Sequence, residues 1–205
     1  MMSNSVRIAL VALCLLCHAQ WADAGFLSAP YVATTPGSPV PAPSDYYGVV
    51  SDDGSQATLY VSETWSEQHG SMYSFDVWGL VDEDPPLRII KEVTNGTSFP
   101  WIGYKLALDP ADPHTFELSS PAPTSDMFTW DSGNSDAYNL LFGQPGRVDP
   151  GETVMFDFTV NITFTGPSFN FTLTQMPIAV PEPAVGALML AASAIGAMVY
   201  RRRKA

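Results

Sequence analysis

The chain has 205 residues, of which 46% are hydrophobic, with 21 acidic and nine basic side chains and a formal net charge of −12. This length suits one domain with peripheral segments, and the apolar and aromatic content excludes a disordered polymer. Phosphate backbones bind clustered Lys and Arg, so the charge argues against a nucleic-acid partner. Residues 25–180 contain 19 acidic and four basic side chains, a net charge of −15, so the body is an acidic module.

The N-terminus has the features of a secretory signal peptide. Arg7 lies near the start of an apolar run over residues 6–17, and Ala22 and Ala24 form a small-x-small site before Gly25. The run is too short for a comfortable bilayer span, although a retained N-terminal anchor is the alternative. We predict export through the Sec translocon, cleavage by signal peptidase, and a mature protein that begins at Gly25.

Both cysteines, Cys14 and Cys17, lie inside this apolar run and leave with it. The mature chain therefore contains no cysteine, which excludes disulfides, thiol catalysis and cysteine-ligated zinc. Residues 25–45 follow as a linker, because the stretch Pro36-Gly-Ser-Pro39-Val-Pro41-Ala-Pro43 prefers extended polyproline geometry.

From residue 46 to residue 177 the chain alternates apolar and polar residues in short runs, and no segment sustains a helical apolar period. Strands are predicted at residues 57–65, 73–81, 87–93, 102–108, 115–118, 127–130, 138–142, 152–164 and 169–174. This number and spacing of strands predict an all-β fold, a single antiparallel β-sandwich of immunoglobulin-like or jelly-roll type.

The clearest predicted strand runs from Glu152 to Phe164. Its even-numbered residues from Val154 onward are all apolar or aromatic, and the odd-numbered ones are mostly polar. Gly166-Pro167 supplies a turn, after which Phe169, Phe171 and Leu173 alternate with polar residues. We predict that the two runs form an antiparallel hairpin with a buried aromatic face.

Few residues of the body indicate catalysis. Only His69 and His114 survive processing, and no H-E-x-x-H, G-x-S-x-G or phosphate-binding glycine loop is present in the sequence. We therefore predict no catalytic residue, no cofactor and no committed metal site. An extracellular hydrolase with an unrecognised site remains an alternative, because a Ser/His/Asp triad assembles in space from any chain order.

Two binding chemistries stay open for the body. Acidic loops could coordinate calcium through carboxylate and amide oxygens, and the best candidate is residues 131–136, although no EF-hand spacing is present. Tryptophans could stack on sugar rings if they are exposed, or fill the core if they are not. The four tryptophans of the body are Trp65, Trp78, Trp101 and Trp130.

The C-terminal 26 residues combine three features in order. The first is a proline-flanked motif made of Val180, Pro181, Glu182 and Pro183. The second is the uncharged run 184–200, which as a helix spans about 26 Å, slightly short of the roughly 30 Å hydrocarbon core. The third is a basic cluster made of Arg201, Arg202, Arg203 and Lys204. The positive-inside rule places this cluster in the cytoplasm and the acidic body outside.

This ordered arrangement resembles the PEP-CTERM sorting signal of exopolysaccharide-producing Gram-negative and related bacteria. The resemblance implies recognition by exosortase, an integral-membrane cysteine protease or transpeptidase, while the helix and basic cluster hold the substrate in the inner membrane. The prolines around Glu182 favour an extended backbone that a protease cleft can pair with. A plain single-pass anchor is the alternative; glycolipid-anchor tails normally end apolar, unlike this one.

These features predict an exported, non-enzymatic PEP-CTERM protein that exosortase processes for the cell surface or exopolysaccharide matrix. The predicted segments are the signal peptide 1–24, the linker 25–45, the sandwich 46–177 and the sorting signal 178–205. The predicted partners are the Sec translocon, signal peptidase, exosortase, the inner membrane and exopolysaccharide. The resemblance covers the tag alone, so a secreted carbohydrate-binding or adhesion module is the second hypothesis for the body.

Overall fold

Alternation of apolar and polar residues builds two β-sheets that pack face to face. The computed structural model describes residues 25–33, 45–69 and 71–179. The described strands are β1 (Tyr31–Ala33), β2 (Asp45–Val50), β3 (Ala57–Trp65), β4 (Tyr73–Leu80), β5 (Pro86–Asn95), β6 (Trp101–Leu108), β7 (Thr115–Phe116), β8 (Thr124–Ser125), β9 (Thr129–Trp130), β10 (Asn139–Gly143), β11 (Thr153–Asn161) and β12 (Ser168–Ala179). A single 3-10 turn, Glu67–His69, accompanies them, and no helix within these ranges has the length and apolar character to cross a bilayer.

The first sheet has the strand order β1-β4-β12-β6-β10-β9, and the second has the order β2-β3-β5-β11-β7, with β8 also paired to β11. The all-β prediction is therefore confirmed. Strand β3 coincides with the predicted range, and β4, β5, β6 and β10 lie within three residues of theirs. The apolar faces of both sheets point inward and form one core.

The prediction of a purely antiparallel sandwich is wrong at one strand pair. Strands β3 and β5 are parallel, with Ala57 opposite Leu87 and Trp65 opposite Asn95. The chain leaves the second sheet after β3, runs through β4 in the first sheet, and returns as β5. The direction of the chain reverses at each of these two crossings, so β5 runs in the same direction as β3 and the two neighbours are parallel.

The predicted hairpin between the 152–164 and 169–174 runs is also wrong. Strand β11 pairs with β5 on one edge and with β7 and β8 on the other, whereas β12 pairs with β4 and β6 in the opposite sheet. The segment 162–167 carries the chain from one sheet to the other, so the two strands lie in different sheets and cannot pair as a hairpin. Their aromatic faces meet the core from opposite sides, and Phe156 contacts Tyr104 and Phe142 with ring centroids 4.7 and 5.0 Å apart.

Strand β11 is shorter than predicted. It ends at Asn161, and Phe164, which the alternation placed on the buried face, is 43% exposed. The backbone N–H of Phe164 donates to the Asp84 carboxylate instead of to a neighbouring strand. The chain has already begun its crossing to the other sheet at this point, so the strand period no longer decides which side chains are buried.

Residues 25–33, which the sequence analysis assigned to the linker, pack onto the sandwich. Phe26 and Val32 are almost completely buried, and β1 pairs antiparallel with β4. Phe26 also forms an isolated bridge with Val81. The sandwich therefore includes the first residues that follow the predicted cleavage site.

The difference between Phe156 and Phe164 is testable by stability measurements. Phe156→Ala empties a fully buried site at the centre of the aromatic core, so we expect a loss of about 3–5 kcal/mol in the free energy of unfolding. Phe164→Ala removes a largely exposed ring and should cost less than about 1 kcal/mol. Urea titration of both variants measures these values, and equal losses would contradict the strand boundary at Asn161.

Candidate functional site

The outer face of the second sheet carries two adjoining concavities. Strand register places one row of side chains across β2, β3, β5 and β11, made of Tyr47, Tyr60, Ile90 and Asp157. The next row along the strands is made of Val49, Thr58, Arg88 and Thr159. Successive rows on one face of a sheet lie about 7 Å apart, so groups in the two rows can contact the same ligand.

The larger concavity has a volume of about 700 Å³ and is here called the outer groove; its polar lining includes Gln56, Thr58, Arg88, Glu117, Asp157 and Asn161. The sheet forms its floor, and the segment between β7 and β8 forms one wall. This segment covers Thr159, which is buried although it points away from the core. The groove is therefore a built concavity rather than a flat sheet face.

An ion pair spans the floor of the outer groove. The Arg88 guanidinium donates from Nε to Asp157 Oδ1 at 2.9 Å and also from a terminal nitrogen to the other carboxylate oxygen. The hydrogen bond to Asp157 is the main cause that raises the pKa of Arg88. This bidentate pair fixes a cationic donor group and an anionic acceptor group side by side on the floor of the groove.

Glu117 is held as an anion at the wall of the groove. Its carboxylate accepts hydrogen bonds from the Ser119 hydroxyl and backbone N–H and from Asn161 Nδ2. These bonds, with the Ser119 hydroxyl the largest contributor, lower the pKa of Glu117 to about 2. A general acid needs a raised pKa near the working pH, so Glu117 suits hydrogen bonding better than proton transfer.

The smaller concavity, of about 280 Å³, lies beside a stacked tyrosine pair. The rings of Tyr47 and Tyr60 are 4.5 Å apart at an interplanar angle of 15°, and Tyr47 is 54% exposed. Glu92 and Asp45 line the same concavity. Aromatic rings with nearby carboxylates can bind the apolar face of a sugar while accepting hydrogen bonds from its hydroxyls.

The tryptophans that the sequence offered as sugar platforms do not form one. Trp65 and Trp101 are fully buried, and their rings contact each other edge to face. Trp78 and Trp130 lie on β4 and β9, four strand spacings apart in the first sheet. The tyrosine pair was not among the predicted site residues, although Tyr60 alternates with the inward Leu59 and Val61 and so had to face outward.

The acidic loop 131–136 is organised by its own hydrogen bonds. Asp131 accepts from the backbone N–H groups of Gly133 and Asn134, and Asp136 accepts from the backbone of Tyr138 and the side chain of Asn139. The last two bonds, led by that from Asn139, lower the pKa of Asp136. In the described ranges, no group of three or more His, Cys, Asp or Glu side chains is placed to hold a metal ion.

The two histidines of the body lie apart and within separate structural contacts. His69 stacks on Trp65, and its Nδ1 lies 2.9 Å from the backbone nitrogen of Ser66. His114 Nδ1 lies 3.1 Å from the backbone nitrogen of Thr163, and burial lowers the pKa of its ring. Each ring therefore fixes a connection between strands.

The core contains a buried ion pair between Lys91 and Glu63. Lys91 Nζ lies 2.7 Å from Glu63 Oε1 and 5.1 Å from the centroid of the Phe75 ring, and the two charged side chains are 0% and 2% exposed. Burial lowers the pKa of Lys91, and the charge of Glu63 opposes this shift. Solvent does not reach the pair, so it stabilises or specifies the fold and does not meet a polymeric substrate.

The residues of the predicted sorting motif, the basic cluster, and Ala22 and Ala24 lie outside the described residues, whereas Gly25 lies inside them. The structure therefore places one residue of the predicted processing sites, and it adds the outer groove and the tyrosine pair. No protein-family model matches the chain, and no characterised protein matches it either.

The buried ion pair predicts a strongly non-additive mutant cycle. Lys91→Met should cost about 3–5 kcal/mol in the free energy of unfolding, because Glu63 is left charged and buried. The double variant Lys91→Met/Glu63→Leu should recover most of this loss. Arg88→Met, which breaks a half-exposed pair, serves as the control and should cost about 1 kcal/mol or less. Additive losses in urea titrations would show that the two charges are not coupled.

Proposed function

We propose that the chain is an exported PEP-CTERM protein, processed by exosortase and placed at the cell surface or in the exopolysaccharide matrix. Its acidic β-sandwich body then has a structural or adhesive role and not an enzymatic one. The observation that carries the proposal is the order of the C-terminal features, with the motif Val180–Pro183, the uncharged run 184–200 and the basic cluster 201–204 in direct succession.

The end of the sandwich is compatible with removal of this tag. Strand β12 ends at Ala179, immediately before Val180, and it pairs with β4 from Ser168 to Gln175 and with β6 from Leu173 to Ala179. Cleavage within or after the motif would leave every described strand in place. The body can therefore stay folded while the membrane anchor is cut away.

The chemistry of the outer groove supports the non-enzymatic part of the proposal. Arg88 and Asp157 bind each other, and Glu117 is held ionised by three donors. Groups arranged in this way are preorganised for hydrogen bonding and give no proton to a leaving group. Activity screens of the purified body against glycoside and ester substrates should therefore remain negative.

The sorting signal is testable through one carboxylate. Glu182→Ala removes the only charge of the motif and leaves the uncharged run intact, so the variant should still insert but accumulate unprocessed in the inner membrane. One epitope in residues 36–43 and another after Ala205 report processing by fractionation and blotting. Wild-type surface protein should carry the first epitope alone.

Glu83→Ala is the matched control, because Glu83 is an exposed glutamate of the body. It should be processed like the wild type. Full-length surface protein carrying both epitopes in wild-type cells, with no effect of Glu182→Ala, would leave a plain single-pass anchor in place of a sorting signal.

A second candidate function is polysaccharide binding by the outer groove and the tyrosine pair. The observation that favours it is the exposed Tyr47 ring, stacked on Tyr60 within one row of the groove's ion pair. The net charge of −15 over residues 25–180 would repel acidic polymers, so the favoured ligands are neutral chains.

Affinity electrophoresis through gels containing dextran, xylan or the producing strain's neutral polysaccharide tests this function. Tyr47→Ala should weaken binding about fivefold, since it removes an exposed stacking surface worth roughly 1 kcal/mol. Trp78→Ala, which removes a partly exposed aromatic ring from the opposite sheet, is the control and should leave mobility unchanged. Equal mobility of the wild type in gels with and without each polymer would exclude binding to these polymers.

A further inference from the structure

Gly25, the residue predicted to begin the mature chain, is bound to one acidic residue by its backbone. The Gly25 nitrogen lies 2.6 Å from Asp82 Oδ1, and the Gly25 carbonyl accepts a hydrogen bond from the Asp82 backbone nitrogen at 3.1 Å. Asp82 lies two residues after the end of β4, next to Val81, which Phe26 bridges. A carboxylate therefore faces the atom that signal peptidase would convert from an amide to an amine.

Only glycine fits at this position. A Cβ atom added to Gly25 would lie 1.9 Å from the Gly54 carbonyl oxygen, and that oxygen also accepts a 2.7 Å hydrogen bond from the backbone nitrogen of Phe26. The next residue, Leu27, donates to the Leu80 carbonyl at 2.8 Å. Three consecutive backbone groups thus fix the N-terminal segment against the 51–55 turn and the end of β4.

We propose that cleavage of the Ala24–Gly25 bond completes this site, because the new α-ammonium of Gly25 docks on the Asp82 carboxylate as an ion pair. Hydrolysis of the bond consumes one water, leaves a carboxylate on Ala24 and leaves an ammonium on Gly25. The inference rests on the export and signal-peptide cleavage of the proposed function. It adds a docking site for the processed terminus and a reason for glycine at that terminus.

The charge around the site favours an ammonium over an amide. The 51–55 turn contributes Asp52 and Asp53, and the segment after β4 contributes Asp82, Glu83 and Asp84, while neither segment contains Lys or Arg. The crossing 162–167 contains no titratable side chain. His114 contacts Phe169, whose ring also contacts Phe26, and burial lowers the pKa of His114 and so favours its neutral form.

The bond type also changes on cleavage. Before hydrolysis the Gly25 nitrogen is an amide with one donor; afterwards it is an ammonium with three donors and a positive charge. Charge-assisted hydrogen bonds are roughly twice as strong as neutral ones. Gly25 is buried in the folded body, so cleavage has to precede docking, in agreement with signal peptidase acting on a chain that is still emerging.

The experiment compares full-length genes expressed in the native host, with the processed proteins purified in detergent. Inserting Ser-Ser between Ala24 and Gly25 keeps the cleavage site and moves the terminal ammonium about 7 Å along the chain. Asp82→Asn removes the partner charge, and Glu83→Gln is the matched control on the neighbouring exposed carboxylate. N-terminal sequencing establishes the first residue of each protein.

At pH 7 the insertion and Asp82→Asn should each lower the thermal midpoint by about 3–8 °C, and Glu83→Gln should not. An ammonium beside a carboxylate keeps its proton to higher pH than a free terminus, so its stabilisation is present at neutral pH and is lost as pH rises through its folded pKa. The difference in thermal midpoint between the wild type and the insertion variant should therefore vanish by about pH 10.

The outcomes separate this inference from the proposed function. Wild-type protein that begins at Gly25, with midpoints and pH profiles equal to those of the insertion variant, would overturn the docking site and leave export intact. Wild-type protein that begins at any other residue would overturn the docking site together with the predicted cleavage. If Asp82→Asn fails to fold, the insertion variant alone still shows whether the terminal ammonium docks on Asp82.

Discussion

Burial of one aromatic core between two sheets is the constraint on which the rest of the structure depends. Phe156 of β11 meets Tyr104 of β6 and Phe142 of β10, so the second sheet is held to the first at their centres. Because the predicted mature chain has no cysteine, no disulfide can supply this connection. The connection therefore depends on large apolar side chains at most inward positions, and the outward half of each strand is free to vary for binding.

This division explains both the site and its electrostatics. Tyr47, Arg88 and Asp157 occupy outward positions of the second sheet, where they can form the tyrosine pair and the outer groove without disturbing the core. Glu63 and Lys91 occupy inward positions and are tolerated because they neutralise each other. The same alternation thus yields a polar outer face and a sealed core that contains one ion pair.

The sequence correctly predicted most of the features that depend on one strand alone, namely its limits and which of its side chains are buried. The alternation of apolar and polar residues predicted both ends of β3 correctly. It also placed Phe156 and Phe158 in the core, because every second side chain of a strand points to the same face. It did not show which sheet a strand joins, since adjacency in the chain does not distinguish a hairpin from a crossing; this caused the wrong hairpin and the wrong assignment of Phe164. Predicting the tyrosine pair requires the register between β2 and β3, and the residue pattern of either strand alone does not contain this register.

The strand directions also place the functional features at opposite ends of the body. Strand β12 begins with Ser168 beside Leu80, close to the Gly25 site, and runs for 12 residues to Ala179, where the sorting motif follows. At about 3.3 Å per residue this separates the two ends by roughly 40 Å. The outer groove is lined by Pro86 and Asn161, at the start of β5 and the end of β11, which are joined to the Gly25 end by the crossings 81–85 and 162–167. The outer groove therefore lies toward the end of the sandwich opposite Ala179, and under the proposed function this is the end away from the sorting motif.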